Sequence, residues 1–180
     1  MKFNKSEDKR AMYFIGIDQS MVHTGVTVLE YIDENNFNII ESFGITTSPD
    51  NIFEDRIILI KNKINETILK YEPEHTYVSI EGLAFAPGRT NNRAMLFGLF
   101  SIIIINLMEL NYRYEVVPPT TLKKRFTGSG KAKKEDMESS TTDIEKSKLS
   151  ELSNLKIKSK KFEDIIDSFA LAKTAFLNIE

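Results

Sequence analysis

Three short runs of strand-forming residues follow one another before any helical pattern begins. Met12 to Ile17 is apolar and closes on Asp18. Thr24 to Tyr31 and Phe37 to Ile45 come next, separated by the turn-forming stretch Asp33-Glu34-Asn35-Asn36. Strands joined by connections this short pair antiparallel, because a parallel pair needs a crossover of a dozen or more residues. A helical period then takes over between Asn51 and Tyr71. Ile52, Phe53, Ile57, Ile60, Ile64 and Ile68 recur at three- and four-residue steps, and Pro73 blocks continuation.

Beyond the proline, Thr76 to Ile80 reads as a fourth strand, ending at Glu81, and a Pro-Gly loop runs from Ala84 to Asn92. Arg93 to Leu110 is apolar. Its four isoleucines, Ile102 to Ile105, favour strand on propensity, but strands seldom exceed about ten residues, so its length predicts a helix. Arg113 to Val117 is a fifth strand, closed by Pro118-Pro119. Thr120 to Phe126 reads as a short helix and Gly128-Ser129-Gly130 as a flexible turn. Residues 135–161 are polar, with thinly spaced Met137, Ile144, Leu149, Leu152 and Leu155. They admit a solvated helix followed by a loop, or a mobile, partly disordered segment. Phe162 to Leu177 is amphipathic, with Phe162, Ile165, Phe169, Ala172 and Phe176 along one stripe. The order β-β-β-α-β-α-β followed by helices predicts an α/β fold: a mixed five-stranded sheet, its first three strands antiparallel, flanked by helices. A chain of 180 residues fits one such domain, preceded by a polar tail over 1–11.

Composition removes several kinds of chemistry. There is no cysteine, which excludes disulfides, thiolate metal sites and thiol catalysis and suits a reducing cytosol. The polar N-terminus lacks the apolar segment of a secretory signal. Ala94 to Met108, interrupted by Gly98, Ser101 and Asn106, falls short of the roughly 20 residues that span a bilayer. Net charge is −2, yet from Lys123 to Lys134 there are six basic residues and no acidic one. A local patch of this kind binds a polyanion on one face.

Four acids stand out by position. Asp18 and Glu81 each close an apolar strand, and Asp164 and Asp167 lie three apart near the start of the last helix, on one face. Carboxylates gathered at the rim of a core need a cation or a proton to coexist. Hard oxygen ligands without Cys or His select Mg²⁺ or Mn²⁺. Two such ions, about 3.5–4 Å apart, can clamp the attacking and leaving oxygens of a phosphodiester. Each acid also has a plainer reading, as a solvated turn residue or a charge favouring a helix dipole. Spacing alone leaves both open. His23 and His75 are isolated in sequence and read as ordinary surface or turn residues.

Taken together, these segments resemble the RuvC family of Holliday junction resolvases, which carry a ribonuclease H-like fold. Gly16-Ile17-Asp18 through Thr24-Gly25 resembles that family's Gly-Ile-Asp-Pro-Gly…Thr-Gly signature, and Ser79-Ile80-Glu81 matches its second strand-end acid. Gly128 to Lys134 is similar to its Gly-x-Gly-x-Ala-x-Lys segment. Asp164 to Ala172 is similar to its closing Asp-Ala-Ala-Asp-Ala-Leu-Ala. The likeness spans nearly the whole chain, in order. Gln19-Ser20 departs from the usual Pro-Gly, and the stretch between Lys134 and Asp164 is longer and more polar than usual.

The resemblance implies that Asp18, Glu81, Asp164 and Asp167 bind two catalytic Mg²⁺ ions, with Mn²⁺ able to substitute. Lys123 and Lys134 would be active-site lysines, and Arg89, Arg93, Lys124, Arg125, Lys131 and Lys133 would hold DNA phosphates. Phe85 would be a wedge entering the junction, although a core role suits it nearly as well. The implied reaction is paired hydrolysis of a four-way junction, leaving 5′-phosphate and 3′-hydroxyl ends. A homodimer would present two sites, paired through Met95 to Met108, in the cytoplasm of a bacterial or phage-infected cell. Three other readings remain: a related nuclease acting on other branched DNA or precursor RNA, a non-catalytic branched-DNA module, and an actin-like ATPase. The last shares a phosphate loop but needs two domains.

Overall fold

A computed structural model describes residues 12–83 and 90–178. The expected tail over 1–11, Phe85 and Arg89 lie outside the described residues. Five strands form one sheet in the order β3-β2-β1-β4-β5. These are β1 (Tyr13–Asp18), β2 (His23–Asp33), β3 (Asn36–Thr46), β4 (Thr76–Glu81) and β5 (Arg113–Val117). β1, β2 and β3 pair antiparallel, whereas β4 joins β1 in parallel and β5 joins β4 in parallel. The expected mixed sheet, with its opening meander, is observed.

Alternation along the strands sorts the chain onto two faces. Ile15, Ile17, Val26, Val28, Val78 and Ile80 point to one face and pack with Ile57, Ile60 and Ile64 of α1 (Phe53–Ile68) and Leu99, Ile103 and Leu107 of α2 (Thr90–Glu109). The isoleucine run is therefore helical, as its length required. Asn65 and Asn106 exchange two amide hydrogen bonds, 3.1 and 2.6 Å, which tie α1 to α2. Phe14, Leu29 and Val117 point to the other face and pack with Phe162, Ile165, Phe169, Ala172 and Phe176 of α6 (Lys160–Asn178). That stripe is the one read from the sequence.

α6 lies unusually close to the sheet because the strands beneath it lack side chains. A Cβ on Gly16 would stand 1.9 Å from the Ser168 carbonyl oxygen, and one on Gly25 would stand 2.2 Å from that of Asp164. Thr27 Oγ1 and Ser168 Oγ hydrogen-bond at 2.8 Å in the same contact.

Residues 135–161 are more regular than their composition suggests. After α3 (Pro119–Thr127), they form most of α4 (Lys134–Ser139) and all of α5 (Asp143–Ser153). Each short helix buries a single large residue of its own, Met137 or Leu149, against α6. A capping box holds the start of α5: Glu145 N–H donates to Thr142 Oγ1, and Thr142 N–H donates to Glu145 Oε2. Lys173 of α6 bonds Glu145 at 2.7 Å and stands over the rings of Phe37, Phe126 and Phe169, which docks α5 to the body.

Candidate active site

β1 and β4 are parallel neighbours with Ile17 opposite Ile80, so the acids that close them, Asp18 and Glu81, end side by side. Alternation puts both on the α6 face. Asp164 and Asp167, one turn apart at the start of α6, are brought over them by the approach at Gly25 and Gly16. Four carboxyls separated by as much as 149 residues thus come within electrostatic reach of one another, with Asp18 only 8% exposed.

Their proton affinities record the crowding. Burial, then the charges of Glu81, Asp167 and Asp164, holds Asp18 well above the ordinary carboxyl range. Burial and Asp167 push Glu81 up to about 7, opposed by Lys123 and by a hydrogen bond with the Asp18 side chain. Burial raises Asp167 to about 6, against the pull of Lys134. Asp164 is also raised by burial, and its bond to His23 works against the shift. These are the environments in which anionic carboxylates require a cation.

Of the expected lysines, Lys123 acts electrostatically on Glu81 and Asp167, and Lys134 on Asp18, Asp164 and Asp167. Lys134 also pairs with Glu163. Lys124, Arg125, Lys131 and Lys133 are exposed on α3 and the turn leading to α4. Arg125 meets Glu115 at 3.1 Å, an ion pair near the surface that contributes about 1 kcal/mol or less and leaves the guanidinium available to a phosphate. Arg93 is half-buried near the start of α2.

Several residues of the site were missed by the sequence reading. His23 is not a surface residue: it is 5% exposed, and its Nδ1 lies 2.7 Å from Asp164 Oδ2. His75 lies in a 3-10 turn, as expected, but is also mostly buried at 9% exposure. Gln19, which replaces a proline of the family signature, is buried, and its amide donates to the Glu81 carbonyl oxygen at 2.6 Å, joining the ends of β1 and β4. Arg56, buried on the isoleucine face of α1, donates from Nε to Thr47 Oγ1 at 2.9 Å and from Nη2 to the Met21 carbonyl, clamping the β1–β2 turn. The signal for Arg56 was its place one residue before Ile57, on the inward side of the helix.

A tighter set of donor atoms exists among the described residues. One ligand atom each from Glu72, Glu74 and His75 lies within 4.8 Å of the others, a closer grouping than any three of Asp18, Glu81, Asp164 and Asp167 make. That set sits before β4, at the end of the strand opposite Glu81, and both glutamates are exposed to solvent. Exposed acids of this kind are stable without an ion.

Comparison with known proteins places this geometry in context. The family model described as crossover junction endodeoxyribonuclease RuvC matches residues 14–175. RuvC of Treponema denticola is 29% identical over 124 residues, 69% of this chain and 67% of that protein. RuvC of Carboxydothermus hydrogenoformans is 29% identical over 169 residues, 93% of this chain and 98% of that protein. Among solved structures, Thermus thermophilus RuvC superposes with a TM-score of 0.69 at 20% identity, covering 92% of this chain and 94% of that one. The same protein in complex with a Holliday junction substrate gives 0.67 at 19% identity, covering 92% and 93%. At these identities the structural matches establish the fold.

Proposed function

Because the chain belongs to the RuvC family of crossover junction endodeoxyribonucleases, we propose that it resolves four-way DNA junctions by divalent-metal-dependent hydrolysis. The convergence of Asp18, Glu81, Asp164 and Asp167 is the observation that carries this reading. All four donors are hard oxygens, which fits Mg²⁺ or Mn²⁺ and excludes the soft metals. Two ions held by these carboxylates would supply an activated water and charge stabilisation at the scissile phosphate.

The chain's own residues do the rest. Lys123 and Lys134 set positive charge beside the pocket, where negative charge on the phosphate grows as the bond breaks. Lys124, Arg125, Lys131 and Lys133 are exposed and would hold neighbouring phosphates, with Arg93 and, by resemblance to the family alone, Arg89 and Phe85 as further DNA contacts. The ends produced would be 5′-phosphate and 3′-hydroxyl.

Phosphate contacts of this kind make binding steeply salt-dependent. Losing one contact lowers the slope of log affinity against log salt by about 0.9. Lys124→Ala is expected to weaken junction binding and flatten that slope by about this amount; an unchanged slope removes Lys124 from the interface.

A junction offers two related strands, so paired cutting calls for two sites related by a two-fold axis. We assign the dimer contact to α2. Phe97, Ile105 and Met108 form one outward stripe on it and are 61%, 53% and 59% exposed. Sedimentation should give a dimer at micromolar concentration; a monomer would remove this part of the proposal. Activity is tested by offering junction, fork, flap and RNA substrates side by side with Mg²⁺ and Mn²⁺. Paired nicks in the junction alone support the reading. Cutting of fork, flap or RNA in preference to the junction contradicts it.

A further inference from the structure

His23 opens β2 on the sheet face that carries α6. Its Nδ1 stands 2.7 Å from Asp164 Oδ2, and since a carboxylate only accepts, Nδ1 is the donor. The ring has a seat of its own. A Cβ on Gly44 would stand 2.0 Å from His23 Nε2 and 2.5 Å from Cε1, so the imidazole occupies the space that any other residue at 44 would fill. Gly44 pairs with Gly25 across β2 and β3, and Gly25 in turn leaves room for the Asp164 carbonyl. Two neighbouring glycines therefore accept the two halves of one device, the backbone of Asp164 and the ring that grips its carboxylate.

We propose that His23 is a positioning residue that fixes the orientation of the Asp164 carboxylate, so that an incoming divalent cation meets it already aligned with its neighbours. The inference rests on the four-carboxylate reading of the site and adds to it a residue that does not itself touch the metal. Asp164 needs such help more than Asp18 does. Its side chain is 28% exposed, and it sits near the start of a helix rather than within the sheet. Left alone, it would sample rotamers whose loss an ion must offset on binding. His23, with 6% of its side chain exposed, has no such freedom to lose.

The test is Mn²⁺ binding to the purified full chain without DNA, by isothermal titration calorimetry, for the wild type and three variants. His23→Asn keeps an N–H donor near the position of Nδ1. His23→Leu keeps bulk and removes the donor. Gly44→Ala keeps the imidazole and pushes it off its seat. We expect His23→Leu and Gly44→Ala to weaken Mn²⁺ binding by about 10–100-fold, the usual effect of losing a partner that orients a ligand, and His23→Asn to bind close to wild type. Wild-type affinity in His23→Leu, or equal loss in His23→Asn and His23→Leu, overturns the proposal. Should His23→Leu not fold, His23→Asn set against Gly44→Ala decides, with equal affinity in the two overturning it. A wild type that binds no Mn²⁺ is a different failure: it removes the four-carboxylate reading first and this inference with it.

Discussion

Asp18→Asn is expected to lower Mg²⁺-dependent junction cleavage by at least about 10²–10³-fold while leaving junction binding in Ca²⁺ or EDTA intact, and to raise the thermal midpoint of the metal-free protein. The two effects have one cause. Asp18 is the most enclosed of four acids whose charges repel, so removing its charge takes away both a metal ligand and a source of strain. Relief of that load should raise the midpoint of the metal-free protein, each 1 kcal/mol being worth about 2–4 °C in a chain of this length. The sign depends on pH. A carboxyl whose proton affinity is raised by folding favours the folded state fully below about pH 4, where the unfolded chain is protonated too. That contribution is lost as pH climbs through about 6 for Asp167 and about 7 for Glu81. Metal-free wild-type protein should accordingly lose stability between pH 4 and pH 7.5, and the advantage of Asp18→Asn should vanish towards pH 4. Thermal denaturation across that range in EDTA checks it. A variant less stable than wild type at pH 7.5 would mean that the cluster is not under electrostatic load.

Gly25→Ala is expected to separate the site from the sheet. Its new Cβ would stand 2.2 Å from the Asp164 carbonyl oxygen and 2.7 Å from the carbonyl carbon, both backbone atoms that cannot rotate aside. The start of α6 must lift, and Asp164 and Asp167 lift with it. Overpacking of this kind costs about 1–3 kcal/mol, and a displacement near 1 Å in a reacting constellation costs about 10²-fold in rate. Cleavage should fall by about that factor in protein that is still folded at 25 °C. Circular dichroism and junction cleavage, measured on the same preparation, test the pair of effects; full activity would show that α6 does not set the position of the acids.

The contrast between Asp18 and His23 shows what was legible beforehand. Asp18 and Glu81 announce themselves because an acid ending an apolar strand breaks a pattern, and the succession of elements along the chain follows from period and connection length, although the sheet order β3-β2-β1-β4-β5 does not. Their convergence with Asp164 and Asp167 was readable only through resemblance, since it depends on α6 settling onto Gly16 and Gly25, a contact between segments over 130 residues apart. His23 carried no periodic signal, and its seat at Gly44 is a pairing of two strands rather than a motif. Arg56 was hidden differently: a charged residue on an isoleucine face is normally discounted, yet the turn at Met21 leaves a carbonyl for it to satisfy. The polar stretch after Lys134 left a solvated helix followed by a loop and a disordered segment both open, and the structure has two short helices there. One buried residue per short helix is too little for a hydrophobic period to show, although the Thr142–Glu145 capping box was there to be read.

Crystals soaked in Mn²⁺ and measured for anomalous scattering would locate the bound ions themselves. Peaks are expected in the pocket bounded by Asp18, Glu81, Asp164 and Asp167. Occupied density at Glu72, Glu74 and His75, with none beside Asp18, would contradict it.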